Sequence, residues 1–388
     1  MSAENAPEPV RGIPDRAARL FADAELLAQS ITRPSSKGYA LSELAETVAA
    51  ADPDHAERII AESITDESRK AWTLSGIAAA MAATDPERAA RLLADAERIA
   101  QSIAAEDGKD WVLGKVADVV AATDPDRAEQ IAQSVTDEIR RARALYDVAK
   151  AAAAADPDRA ERIARSITEE QLQAWALARV AAATAAVDPD RSARLFADAE
   201  HLAGVIADED FKEWALACVA ESAEVADPDR AKRIAQAITD RFWKAWVLRG
   251  IAATLAPADP ERAARLLADA EDIARSIASV AGDTWAEVEK AWMLSDIAAT
   301  VGAADPERAA RLLADAEDIA RSITDESNEG PALRHVAKAV AATDPDRAER
   351  IARSVSDQYW KTVALIAVAR VTAATSPYRA AISEGYHI

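Results

Sequence analysis

The chain has 388 residues, a net charge of −21, four histidines and one cysteine. Half of its residues are apolar and only 11 are glycine, a composition that suits helices and leaves little for sheets. An acidic surface repels phosphate backbones, which argues against a nucleic-acid partner, and the lone Cys218 excludes a disulfide framework or a cysteine metal site within the chain.

Residues 1–12, MSAENAPEPVRG, have no apolar core, so they are expected to be a disordered segment and not a signal peptide. No run of about 18 apolar residues follows, so no membrane span is expected and the chain is read as cytoplasmic. From Pro14 onward proline recurs at 14, 53, 86, 125, 157, 189, 228, 260, 306, 345 and 377, and nine of these form an Asp-Pro pair. Spacings of mostly 32 or 39 residues signal stacked repeats. Residues 13–375 therefore read as a single helical repeat array. Its units start near 14, 53, 86, 125, 157, 189, 228, 260, 306 and 345, and residues 376–388 read as a half-repeat or cap helix.

The segment from Asp156 to Pro189 shows how one unit is written. Proline drives the residue before it out of helical geometry, so Asp156 ends one helix. Its carboxylate is then placed to cap the next, with Pro157 at the first helical position and Asp158 facing the positive end of the helix dipole. Ala160, Ile163, Ala164 and Ile167 form one apolar stripe. Thr168 with Glu169 and Glu170 then reads as a second N-cap, repeated at Thr65, Thr136 and Thr324. A second helix runs from there toward Val187. Each unit is thus a helical hairpin.

Aligned on the next proline, every second helix carries Leu at one position (Leu41, Leu74, Leu113, Leu145, Leu177, Leu216, Leu248, Leu294, Leu333, Leu365) and Ala four residues later. Alternating large and small residues let helices interdigitate, so these columns are expected to form the core. Two residues before the Leu stands an aromatic in seven units, Tyr39, Trp72, Trp111, Trp175, Trp214, Trp246 and Trp292, while Arg143, Pro331 and Val363 break the series. This column is expected to pack in the core or between repeats.

Five units, starting at Pro14, Pro86, Pro189, Pro260 and Pro306, are longer in their first helix and share Arg-Leu-(Leu/Phe)-Ala-Asp-Ala-Glu. Seven extra residues add about two turns with only ~20° of drift, so the apolar face stays inward. The acids in these turns read as a solvated face, with a basic groove or peptide as the functional alternative. Two irregular stretches, Arg33–Gly38 and the insertion around Ser279–Trp285, read as loops.

The stretch Lys70-Ala-Trp72-Thr-Leu74-Ser-Gly76-Ile-Ala78, followed by Asp85-Pro86-Glu-Arg-Ala89, resembles a tetratricopeptide repeat in degenerate form. Trp72, Gly76 and Ala89 match that family's packing positions. Leu74 follows Trp72 by two residues where the family has three, and the family's closing proline is missing. The likeness implies a protein-binding scaffold, and the expected fold is a right-handed all-α, tetratricopeptide-like solenoid of about ten helix-turn-helix repeats, with the long and short units read from the spacing alternating along it.

No residue set here makes a nucleophile–base pair, a metal site or a phosphate loop. His55, His201, His335 and His387 share no motif. The expected function is a non-catalytic scaffold, without catalytic residues, metal or cofactor, that holds another protein, a peptide or a helix, with a basic partner suited to its charge. The alternatives are a sensor or regulatory subunit of a bacterial signalling or defence system with a separate effector, and an acidic nucleic-acid mimic. Partner-binding candidates are Phe211, Trp243 and Trp360 at second-helix starts, Trp285 in the insertion, and Arg143 in the aromatic column. Unpaired array ends call for caps, or for self-association through the terminal helices.

Overall fold

The computed structural model describes residues 15–278, 284–302 and 304–375, so the expectations for residues 1–12 and 376–388 lie outside the described residues. The regular structure among the described residues is helical throughout, in pairs of a first and a second helix along the sequence. They are α1 (Asp15–Ser30) with α2 (Pro34–Val48), α3 (Pro53–Ser63) with α4 (Glu67–Met81), and α5 (Pro86–Ser102) with α6 (Glu106–Ala121). Next come α7 (Pro125–Ser134) with α8 (Glu138–Ala152), α9 (Pro157–Ser166) with α10 (Glu170–Thr184), and α11 (Pro189–Val205) with α12 (Glu209–Ala223). The series ends with α13 (Pro228–Ala237) and α14 (Arg241–Leu255), α15 (Pro260–Arg275) and α16 (Trp285–Val301), α17 (Pro306–Ser322) and α18 (Glu326–Val340), and α19 (Pro345–Ser354) and α20 (Gln358–Thr375). The fold is an all-α solenoid of helical hairpins. Its first helices are long in the five units expected, 16 or 17 residues against 10 or 11 in the others.

The Asp-Pro pairs act at both ends of the junction. The backbone N–H of Asp156 donates to the Ala152 carbonyl at 2.8 Å, closing α8, and its carboxylate accepts from the Arg159 amide at 3.0 Å, opening α9. The same pair of bonds recurs at Asp52, Asp85, Asp124, Asp188, Asp227, Asp259, Asp305 and Asp344. The second helices start differently from the sequence reading. Asp66, Asp137 and Asp325 carry the cap bond that was assigned to Thr65, Thr136 and Thr324, and Glu169 at the matching place makes none. The Arg33–Gly38 stretch is also corrected: Pro34 starts α2, and Arg33 is its uncapped N-cap.

The Leu and Ala columns are core as expected, with every member no more than 9% exposed. α10 stops at Thr184, and Val187 beyond it is exposed.

Two compact units make up the chain, Met1–Ile99 with Ala278–Ile388, and Ala100–Ile277. Within each, arginines tie consecutive first helices. Arg159, two residues after Pro157, reaches back to Asp126 at 2.7 Å and Glu129 at 3.0 Å. Arg191 does the same to Asp158 and Glu161, and Arg88 to Asp54 and Glu57. Where the preceding helix is long, the acceptor is the last acid of its Ala-Asp-Ala-Glu stretch: Arg230 meets Glu200 and Arg347 meets Glu317, each at 2.7 Å. Those glutamates are joint partners, not members of a purely solvated face. His55 stands where the other units have Arg, and its Nε2 lies 2.9 Å from Glu25.

A second link joins helix starts. The Asp110 carboxylate accepts from the Thr136 amide at 3.0 Å, the Thr136 hydroxyl at 2.6 Å and the Asp137 amide at 2.7 Å. Burial alone would push its carboxyl up, but these donors outweigh it and hold it below the usual carboxylate range. Glu213 holds Thr239 in the same way. Thr136 thus serves the joint to the preceding hairpin and leaves the cap to Asp137.

In the unit that contains both chain ends, α1 packs on α20. Arg16 meets Asp346 at 2.8 Å and Glu349 at 3.2 Å, the acids one and four residues after Pro345. That is the pattern of Arg159 on Asp126 and Glu129, so the first hairpin sits against the last as a sequence neighbour would. Apolar residues of α1 and α20 are buried at this joint.

Removing one junction carboxylate should be felt at a single helix end. Asp156→Ala is expected to cost about 1–2 kcal/mol and Asp156→Asn a few tenths, measured by urea denaturation. An Ala variant as stable as the parent would contradict the capping role.

Candidate functional site

Within each unit the second helices pack on neighbouring first helices and on one another, and one face of them is less buried than the rest. The aromatic column lies on that face. Trp72, Trp111, Trp175, Trp214, Trp246 and Trp292 are half-buried, Tyr39 is exposed, and none belongs to the buried core. The expectation of core packing is corrected, while packing between repeats is found in part. A side chain one turn further on, at i+4, shares this face, and another at i+7 does too. The column therefore heads a stripe of mixed aromatic and charged residues.

In the unit Ala100–Ile277 the stripe is continuous. Tyr146 stacks on Trp175 with ring centroids 4.2 Å apart, and Trp175 meets Trp214 edge to face at 5.4 Å. Arg143 pairs with Asp147 at 3.4 Å and lies 5.2 Å from the Tyr146 ring and 5.3 Å from that of Trp175, within cation–π range. Next to this stack are Arg179, Glu221, Glu224 and Arg249, all half-buried. The indole Nε1 of Trp175 and the Nε of Arg249 are buried without a hydrogen-bond partner. Glu224 reaches across to α14, where a Cβ at Gly250 would run into its carboxylate; glycine there makes room for the acid.

The electrostatics follow from this crowding. Burial, with Glu221 beside it, pushes Glu224 up to about 8 against the pull of Arg249. Burial also raises Glu221, opposed by Arg179, Arg249 and Lys150, and raises Asp147, opposed chiefly by Arg143. The Tyr146 hydroxyl and the buried Cys218 thiol are driven up by desolvation as well. Clustered perturbed groups of this kind mark candidate functional surfaces.

The corresponding face in the other unit is internally paired. Arg334 meets Glu43 at 3.0 Å, His335 Nε2 lies 2.8 Å from Asp296, and Trp292 Nε1 donates to the Pro331 carbonyl at 3.3 Å. The Arg69 guanidinium lies 3.4 Å from the Tyr39 ring centroid. Among the described residues, no cluster of three His, Cys, Asp or Glu could hold a metal ion.

The sequence candidates do not form one site. Arg143 belongs to the stripe. Phe211, Trp243 and Trp360 each occupy the third position of a second helix, with their amides held by the caps Asp208, Asp240 and Asp357. Phe211 is 54% exposed, whereas Trp243 turns its ring edge-on to Trp246 at 5.8 Å. Trp360 fills the space over Gly330 of the preceding hairpin, so it packs between repeats. Trp285 is the first residue of α16, 42% exposed and 5.5 Å from Trp292; residues 279–283 of the insertion lie outside the described residues. Sequence reasoning missed Tyr146, Arg179, Glu221, Glu224 and Arg249. The available signal was charge two and five residues after the invariant Leu at Arg179 and Glu221, in helices otherwise apolar; Tyr146, Arg249 and Glu224 stand at other spacings.

No family model matches the chain, and no curated protein does. Among solved structures, the crystal structure of Ton1535 from Thermococcus onnurineus NA1 is similar at 16% identity, over 81% of this chain and 96% of that one, with a TM-score of 0.29. Among the described residues, no helix is long and apolar enough to cross a membrane.

Glu224 sets a pH dependence of known sign. Its carboxyl keeps its proton in the fold up to about pH 8 but loses it near 4.5 once unfolded, so its contribution is fully present below 4.5 and is lost as pH rises through 8. Glu224→Gln is expected to match the parent near pH 4.5 and to gain stability over it progressively, by on the order of 3 kcal/mol at pH 8.5. Denaturant midpoints at the two pH values check this; a constant difference would refute it.

Proposed function

We propose that the chain is a non-catalytic, tetratricopeptide-like scaffold that holds a partner polypeptide on the second-helix face of the unit Ala100–Ile277. The observation that carries this reading is the aromatic stack Tyr146–Trp175–Trp214, flanked by half-buried charged groups at Arg179, Glu221, Glu224 and Arg249. Rigid aromatics with two side-chain torsions supply contact area at low entropic cost, which is why they anchor interfaces. Among the described residues, the face of the other unit carries no comparable run of stacked rings, and its charged groups Arg334 and His335 are paired with Glu43 and Asp296.

The rim positions are a distinct way to hold a partner, and the two can be separated. Affinity capture from native extract, followed by purified binding of each recovered protein, should lose its partner with Trp175→Ala combined with Arg179→Ala. Phe211→Ala combined with Trp285→Ala should leave it. At hot-spot magnitudes the first pair should weaken binding by roughly 100-fold or more. Full binding by that variant, with loss in the rim variant, would move the site to the helix starts.

A further inference from the structure

We propose that the joint between the last and first hairpins is a charge-held clasp, the first joint of its unit to open and one that salt releases. Elsewhere in that unit consecutive hairpins share an Asp-Pro junction, as at Asp52, Asp85, Asp305 and Asp344, where one residue is hydrogen-bonded to both helices. A junction of that kind keeps a separated pair at high effective concentration, so it recloses at once. No junction joins α20 to α1 in chain order, since the two helices stand at opposite ends of the described sequence. Contacts alone hold them.

Those contacts are strongly ionic. Besides Arg16 on Asp346 and Glu349, Arg19 meets Glu349 at 3.2 Å, Arg353 meets Asp23 at 2.5 Å and Arg334 of α18 meets Glu43 of α2 at 3.0 Å. Gln358 also donates to the Ser30 hydroxyl at 2.6 Å. The Glu349 side chain is only 17% exposed and collects three arginines, Arg16, Arg19 and Arg353. A shared acceptor of this sort couples its partners, so one substitution there loosens several pairs. Beneath the ions lies an apolar seam in which α1 buries Leu20 and Phe21. The seam keeps the closed form dominant, and the charges set how often it opens.

Two features separate this joint from a tethered one with the same chemistry. Glu129 accepts from Arg159 and Arg162 as Glu349 does from Arg16 and Arg19, but α7 and α9 are linked through α8 and its Asp156 junction. Loss of either acid removes similar contacts. Only loss of Glu349 removes them where no junction recloses the gap.

Hydrogen exchange read by mass spectrometry on the full chain tests this. In α1, exchange should run roughly tenfold faster at 1 M than at 0.05 M NaCl, while α4, which lies between junctions, should change little. Glu349→Gln should reproduce the faster α1 exchange at low salt. Glu129→Gln should leave α9 protected to within about threefold. Equal salt response in α1 and α4, or equal effects of the two substitutions, would overturn the proposal. The salt series on the parent chain stands on its own if Glu349→Gln proves unstable.

Discussion

Everything else in the array hangs on one residue doing two opposite jobs. An aspartate before proline cannot be helical, and in leaving the helix it puts its amide on the last turn behind it and its carboxylate on the first turn ahead. At Asp156, one orphan backbone group on each side is met by this single residue, across a turn of three residues. Because the junction has almost no slack, the basic residue two after the proline arrives, within each unit, over the acids of the preceding first helix, as Arg88, Arg159, Arg191, Arg230 and Arg347 do. A looser connection would leave that register undefined. The same two letters therefore determine where helices end and how hairpins stack.

Much of this was legible because it is local. The prolines, the Leu and Ala columns and the long and short first helices follow from chain geometry within one hairpin, and Leu177 and Ala181 are buried where the spacing puts them. What escaped was contact between hairpins. Thr136 looks like a cap, since threonine caps helices in general, yet Asp110 of the hairpin before it takes both its amide and its hydroxyl. Glu200 and Glu317 look like solvated acids, yet each meets the arginine of the next unit. Arg33–Gly38 has the composition of a loop, but proline is at home in a first helical turn and α2 simply starts there.

The tryptophan column shows the same limit most clearly. Its spacing from the Leu column is two residues, which on a helix is about 200° around the axis, so the two cannot share one buried stripe. The sequence carried that information, and the frequency with which tryptophan packs in cores obscured it. Once the column is placed on the free face, the charged positions four and seven residues on fall beside it. The same positions are then used in two ways: Glu43 and Asp296 pair with Arg334 and His335, whereas Arg179 and Glu221 stand beside the ring stack, where burial raises the Glu221 carboxyl.

That contrast bears on why near-identical hairpins can still carry a particular site. Junctions, columns and joint arginines repeat because stacking demands them in every unit. The free face is under no such demand, so its side chains can differ from helix to helix without disturbing the stack. Gly250 illustrates the freedom: a residue with no side chain lets Glu224 lie flat against α14, and the acid is left half-buried beside Glu221 with too little positive charge around it. Keeping two such acids and unmet indole and guanidinium donors together lowers the stability of the unit relative to an alanine-rich face. The raised carboxyls of Asp147, Glu221 and Glu224 all fall on this one stripe, so the cost is concentrated where stacking makes no demand on the side chains.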